Sequence, residues 1–354
     1  MFNSLGNILR LTTFGESHGP AIGGILDGFP AGIAVDEDKI YQQLARRKTG
    51  QSSLTTSRQE EDKIEFLSGI KDGMSTGHSI GFLVRNTNQK SEDYSHLEDV
   101  YRPSHADFTY QEKYGIRDVR GGGRASARET TNWVIGGTLA KQLIPNIQIS
   151  SFVSSVEHVV YNYDPHSTDL TKTESNSIRC PDNDKAKEMI AAIEKAKADG
   201  DSVGGTITCV IKNMPIGLGE PIFHKLEATL AHAMLSINAC KGFEIGSGFA
   251  GTTMRGSVHN DVWMEKGKTA TNHSGGIQGG ISNGMDLVFR LAFKPTSTIM
   301  QAQTTINNKN EIVQLEGKGR HDPCVLPRAV PIVDALAAFV LADMFLLSKI
   351  RKIS

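Results

Sequence analysis

The amino-acid sequence predicts an α+β fold, and three observations carry that expectation. Runs rich in β-branched residues read as short strands at 8–14, 21–26, 80–85, 147–161 and 203–211. Runs with apolar residues at helical spacing read as helices at 126–143, 185–198, 226–237 and 330–347. The usual nucleotide-binding α/β folds lose support, because no G-x-x-x-x-G-K-[ST] loop is present. Gly246 to Gly251 does match G-x-G-x-x-G, but Thr252-Thr253-Met254-Arg255-Gly256 follows it without a helical apolar period. At 354 residues and 38% hydrophobic, the chain can bury a substantial core, as one domain over 1–354 or two intimately packed halves.

The elements follow in order. Ile8 to Phe14 and Ala21 to Leu26 are strands around Gly15-Glu16-Ser17-His18-Gly19-Pro20, a turn that sets a histidine between glycines with room for close backbone approach. Asp36 can cap a helix with Ile40 and Leu44 on one face. That helix ends in Arg46, Arg47 and Lys48, cations that suit a helix C-terminus as well as a binding site. Thr49 to Asp62 is nearly devoid of apolar residues and reads as a mobile loop, a candidate lid. Ile64 to Leu67 and Ile80 to Arg85 are strands on either side of Lys71-Asp72-Gly73 turn chemistry. Asn86 to Gly123 is polar and irregular over a length that points to function, and it holds Arg102-Pro103-Ser104-His105-Ala106-Asp107.

Ser126 to Leu143 is a helix with Trp133, Leu139 and Leu143 toward the core, and Ile147 to Tyr161 is strand-like. An amphipathic helix from Lys185 to Ala198 stops at Gly200, a strand runs from Val203 to Ile211, and a helix from Leu226 to Ile237 ends at Asn238-Ala239. Gly275-Gly276-Ile277-Gln278-Gly279-Gly280 is a glycine-dense turn where a bulky ligand can lie against bare backbone. A strand from Met285 to Phe293 leads into Lys294-Pro295-Thr296-Ser297-Thr298, whose ammonium and hydroxyls suit a phosphate or ribityl chain and equally an ordinary turn. After a hairpin at 304–306 and 311–315, Gly319-Arg320-His321-Asp322-Pro323-Cys324 forms a candidate acid/base cluster ahead of the last apolar helix.

Charge and cysteines narrow the function classes. A formal net charge of −1 and a pI near 6.8 make the arginines a local concentration, which argues against a nucleic-acid binder. Cys180, Cys209, Cys240 and Cys324 form no C-x-x-C pair and fit free thiols in a reducing cytoplasm, with no metal site expected. Met1 to Gly15 lacks the pattern of a signal peptide. Pro331, Asp334 and Asp343 interrupt the longest apolar stretch, so a core helix is expected there and no membrane span.

The chain is organised around Arg117 to Thr130, where Arg117, Arg120, Arg124 and Arg128 surround Gly121-Gly122-Gly123 ahead of a helix. Bare glycines admit a ligand to backbone N–H groups, a helix N-terminus favours negative charge, and guanidinium forks grip phosphate or carboxylate at two points. A small polyanion is the expected occupant.

With Gly15 to Gly19, Arg102 to Asp107, Gly121 to Thr130, Lys294 to Thr298 and Gly319 to Cys324 present in this order, the sequence resembles the chorismate synthase family from about Gly6 to Leu347. The resemblance implies a central layer of helices between antiparallel β-sheets and a homotetramer. It also implies an overall 1,4 elimination in which 5-enolpyruvylshikimate 3-phosphate loses phosphate and a ring hydrogen to give chorismate, the branch point to aromatic amino acids. That reaction is redox-neutral yet requires reduced FMN. By the resemblance, Arg46, Arg47, Arg102 and Arg128, with Lys48, hold the substrate's phosphate and two carboxylates. His105 protonates the departing phosphate, His18 supplies or stabilises a proton near the reduced flavin, and Asp322 works with the flavin N5 region in removing the ring hydrogen. The implied FMN contacts are Arg124, Ala125, Ser126, Asn238, Ala239, Gly279, Lys294, Pro295, Thr296, Ser297, Thr298 and Arg320. One position departs from the pattern: Ser53 stands where relatives often carry another arginine. Arg47 is then the candidate NADPH contact, NADPH engages only indirectly or weakly, and reduced FMN is expected from an external flavin reductase.

Two other readings use part of the same residues. A flavin-dependent oxidoreductase shares the FMN contacts but consumes reducing equivalents. A non-catalytic binder of phosphorylated metabolites or RNA explains the arginines, gives no task to His18, His105 and Asp322, and for RNA conflicts with the neutral pI.

Overall fold

The computed structural model describes residues 2–48, 62–87, 97–317 and 322–351. A first sheet of five strands runs in the order Ser4–Leu5, Arg10–Gly15, Ala21–Asp27, Ile80–Arg85, Ile64–Phe66, and every neighbouring pair is antiparallel. A second sheet of five runs Cys240–Ile245, Leu287–Phe293, Gly205–Lys212, Gln148–Val156, Val159–Val160, again antiparallel throughout. Registry decides which face is dry, because side chains alternate along a strand. Leu11, Leu26 and Ile80 align across three strands of the first sheet, all buried. Val153, Ile207 and Leu291 do the same in the second.

Helices fill the space between these two faces. Glu37–Arg47, Thr130–Lys141 and Leu326–Arg351 pack on one another; Thr130–Lys141 also meets the first sheet, and Leu326–Arg351 meets the second sheet and the helix Leu226–Leu235. The expected sandwich of helices between antiparallel sheets is therefore the architecture found. Two adjacent glycines permit the central crossing. A Cβ on Gly136 would lie 2.7 Å from Leu11 Cδ2 of the first sheet, and one on Gly137 would lie 2.2 Å from the Ala335 carbonyl oxygen of the last helix. Gly137→Ala gains roughly 1 kcal/mol of helix propensity. It meets a backbone atom that cannot rotate away, however, so a net loss of about 1–3 kcal/mol is expected. Urea unfolding tests this, and a midpoint at or above wild type would show that the helices can separate at no cost.

Leu326–Arg351 is long and apolar enough to cross a membrane, but most of it is buried inside the fold. Its half-buried Asp334 and buried Asp343 are both answered. Asp334 accepts from Arg46 Nη1 and from Ser151 N, each at 2.9 Å, and burial pushes its carboxyl up despite Arg46. Asp343 accepts four N–H groups from Asn7, Ile8 and Leu9. The four cysteines are free and buried.

Several boundaries differ from expectation for local reasons. The helix expected from Ser126 begins at Thr130, after 3₁₀ turns at Gly123–Ala125 and Ala127–Glu129, because Ser126 is extended and its Oγ accepts from Arg128 N. The strand expected over 147–161 breaks at Glu157, which has φ of 50°. Within the irregular span 86–123 lies an unexpected helix, Asp107–Tyr114, which buries only Asp107 and so shows no apolar stripe. Gly246 to Gly251 follows the edge strand Cys240–Ile245 of an antiparallel sheet and leads into a 3₁₀ turn, Gly248–Thr253, which is not a dinucleotide site. The loop expected at 49–62, apart from Asp62, lies outside the described residues, as do Ser53, Arg320 and His321.

Candidate active site

A cavity of about 1020 Å³ opens beside the arginine–glycine stretch, at the upper end of the range for small-molecule sites. Leu5, Leu11, Trp133 and Leu336 give it an apolar lining, and Arg117, Arg120 and Arg124 face it beside His105 and the carboxylates of Glu16, Asp107, Asp118 and Glu129.

The three glycines do more than expose backbone. Gly121, Gly122 and Gly123 have φ of 66°, 83° and 52°, a run that L side chains adopt only under strain. A Cβ on Gly121 would fall 2.2 Å from His18 Cε1, and one on Gly122 would fall 3.6 Å from His105 Cε1. Consecutive Cα atoms are ~3.8 Å apart, so two distant histidines touch neighbouring residues of a single turn. His18 is buried, with Ser17 Oγ 3.1 Å from its Nδ1, and Ser17 Oγ donates to Gly121 O at 3.3 Å.

Two buried carboxylates organise the cations. Asp107 accepts a fork from Arg102, Nε at 2.7 Å and Nη2 at 2.8 Å, and its Oδ1 lies 2.8 Å from His105 Nδ1. Burial opposes the charge on Asp107, but hydrogen bonds from Arg102 and His105 overcome it and hold the carboxyl well below the usual range. Asp62 is the second: it accepts from Arg128 Nη1 and lies 3.7 Å from Arg47 Nη1. Arg47 also donates to Thr130 Oγ1 at 3.0 Å and Ala127 O at 2.8 Å, and Arg128 to Asn86 Oδ1 at 3.1 Å.

These contacts close into a circuit. Asn86 Nδ2 donates to Glu16 O and Gly19 O, on either side of His18. From Asn86 the path runs through Arg128, Asp62 and Arg47, whose carbonyl accepts Arg328 Nε at 3.2 Å, and Arg328 in turn pairs with the Asp322 carboxylate. Thr296 Oγ1 donates to Asp322 O at 3.1 Å, while Lys294 Nζ donates to Ser104 O at 3.0 Å, next to His105. Gly122 and Gly121 complete the circuit back to His18. Asn238 Nδ2 donates to Ala125 O at 2.8 Å, and Lys294 N to Ala239 O at 3.0 Å, which joins three of the expected flavin segments. Arg124 is anchored by Thr13 Oγ1 at 2.9 Å, Gly15 O at 3.1 Å and Glu129 Oε2 at 2.8 Å, and burial pushes the Glu129 carboxyl up.

Two expected residues lie off this circuit. Arg46 is held by Glu174 at 2.6 Å, Asp334 at 2.9 Å and Gln43 at 2.6 Å, away from the circuit. Gly279 sits at the tip of the hairpin Ile277–Gln278 and Ile281–Ser282, where the adjacent Gly280 packs on Glu220 and Lys225. Asp62, Asn86, Asp107, Glu129 and Arg328 belong to the site without having been assigned from sequence. Only Asp107 and Glu129 carried a signal, since each lies inside a motif already singled out.

The family model for chorismate synthase matches residues 9–346. The chain belongs to the chorismate synthase family. The chorismate synthase of Christiangramia forsetii is 60% identical over 351 residues, covering 99% of each chain, and that of Bacteroides fragilis is 56% identical over 358 residues, covering 100% of each. A solved chorismate synthase crystal structure superposes with a TM-score of 0.75 at 30% identity, covering 97% of this chain and 92% of the other. The chain is thus an enzyme with chorismate synthase activity, a lyase of chorismate and aromatic amino-acid biosynthesis.

Proposed function

We propose that the cavity binds reduced FMN and 5-enolpyruvylshikimate 3-phosphate together, within one domain spanning 1–354, and that the elimination takes place on the contact circuit. The observation that carries this reading is that His18, His105, Asp322, Arg47 and Arg128 lie on that circuit, with Arg102 joined to it through Asp107. The residues present fit the flavin: an apolar lining suits its fused rings, Arg124 and Ala125 stand in the cavity wall, and Asn238-Ala239 and Lys294 are joined to that wall by the Asn238–Ala125 and Lys294–Ala239 hydrogen bonds. When bound, reduced FMN supplies a transient source of electron density for the allylic system. The chain's residues do the rest. Arg47, Arg102 and Arg128 grip the substrate anions, His105 delivers a proton to the departing phosphate, His18 holds a proton beside the cofactor, and Asp322 takes part in removing the ring hydrogen. Exposed Phe249, Val258, Val262, Trp263 and Met264 support self-association as a homotetramer. Buried free thiols suit a cytoplasmic location, with an external reductase supplying reduced FMN and NADPH at most a weak contact at Arg47.

The test is anaerobic incubation with 5-enolpyruvylshikimate 3-phosphate and photoreduced FMN, following phosphate, chorismate and flavin redox state together. Equal phosphate and chorismate with reduced flavin conserved is the expected result. Stoichiometric flavin oxidation would favour an oxidoreductase, and binding without phosphate release would favour a simple binder. Arg128→Ala is expected to weaken substrate binding by about 1.5–3 kcal/mol, roughly 10- to 150-fold, the value of a charged hydrogen-bond pair. An unaltered dissociation constant in calorimetry would remove Arg128 from the substrate site.

A further inference from the structure

We infer that Asp107 is the positioning residue that sets the proton-donating form of His105 and couples it to the phosphate-binding cations. The inference deepens the reading of His105 as the acid and rests on it. Asp107 opens the helix Asp107–Tyr114 and is 6% exposed, so water cannot substitute freely for its partners. Its Oδ2 accepts Arg102 Nε at 2.7 Å and Arg102 N at 3.1 Å, and lies 3.7 Å from Arg117 Nη1. Its Oδ1 accepts Arg102 Nη2 at 2.8 Å and lies 2.8 Å from His105 Nδ1. An ionised carboxylate only accepts hydrogen bonds, so His105 Nδ1 must carry a hydrogen in both charge states of the ring. The nitrogen that gains and loses the exchangeable proton is then Nε2.

One carboxylate therefore fixes the imidazole tautomer and aligns two guanidinium groups beside it. Two guanidinium charges against one carboxylate leave a net of one positive charge for an incoming anion. The other side of the loop is held as well, because Lys294 Nζ donates to Ser104 O and Oγ at 3.0 and 2.5 Å. A phosphate drawn to this cluster meets its proton donor in fixed register, which is how orientation lowers a barrier. A plain structural clamp on Arg102 predicts something different: weaker binding with unchanged chemistry.

The experiment compares Asp107→Asn, Asp107→Glu, His105→Ala and the double variant His105→Ala/Asp107→Asn, each as reduced-FMN-loaded enzyme. Asp107→Asn should lower kcat by about 10²-fold or more, with a smaller change in KM and a displaced basic limb of the kcat–pH profile. Asp107→Glu should recover part of the loss. In the His105→Ala background Asp107→Asn should have little further effect on kcat, because the two act as a unit. A wild-type kcat in Asp107→Asn beside a crippled His105→Ala would overturn this inference alone, as would a change confined to KM or losses that multiply in the double variant. A fully active His105→Ala would bring down the acid reading itself. Nitrogen NMR of His105 in the unsubstituted protein gives a readout independent of variant folding: a neutral ring protonated at Nδ1 is expected, and one protonated at Nε2 overturns the assignment.

Discussion

His105→Ala is expected to lower turnover by about 10²- to 10⁴-fold, the usual contribution of a positioned general acid. Substrate binding should survive, because the fork between Arg102 and Asp107 at 2.7 and 2.8 Å does not pass through the imidazole. The ring is half-buried beside Gly122, so its removal leaves a void at the cavity wall and no displaced element. Added imidazole should therefore restore part of the activity, as a free acid can enter the vacated space. Single-turnover phosphate release and an independent dissociation constant separate the two effects. Unchanged turnover would remove His105 from the mechanism, and a raised dissociation constant with normal turnover would make it a binding residue.

The ends of the contact circuit were legible in the sequence because each lies in a short motif punctuated by glycine or proline. His18 is flanked by Gly15 and Gly19, His105 follows Pro103, Lys294 precedes Pro295 and Asp322 precedes Pro323. The middle links were not. Asp62, Asn86 and Arg328 are single polar residues on separate segments, and only tertiary contact gives them meaning. Arg46 and Arg47 look alike at the end of one helix, yet successive residues point roughly 100° apart around the axis. Arg47 therefore reaches Thr130 and Asp62, while Arg46 reaches Glu174 and Asp334. The strands were visible because alternate burial leaves a period of two, as in Ile80–Arg85, but which strand neighbours which depends on pairings that no local pattern records. The arginine–glycine stretch carries a detail that residue pattern does not show. Gly121 and Gly122 also approach two histidines closely, which composition cannot express.

Asp343→Ala is expected to cost about 3–5 kcal/mol of stability, a loss reserved for substitutions that strand buried polar groups. Asp343 is 2% exposed on the last helix. Its Oδ2 accepts Asn7 N at 2.9 Å and Asn7 Nδ2 at 3.0 Å, and its Oδ1 accepts Ile8 N at 2.8 Å and Leu9 N at 2.9 Å. Alanine leaves three backbone donors and one amide without their acceptor at the bend between Ser4–Leu5 and Arg10–Gly15. Asparagine is no remedy, since its amide keeps one acceptor oxygen and turns an N–H₂ toward other donors. It should recover less than half of the loss. The consequence reaches the cavity through the same strand, because Thr13 Oγ1 and Gly15 O accept the Arg124 guanidinium. Flavin affinity should therefore fall along with the unfolding midpoint, measured at fixed protein concentration so that any assembly equilibrium is held constant. A wild-type midpoint in Asp343→Ala would mean that water serves those four donors as well as the carboxylate does.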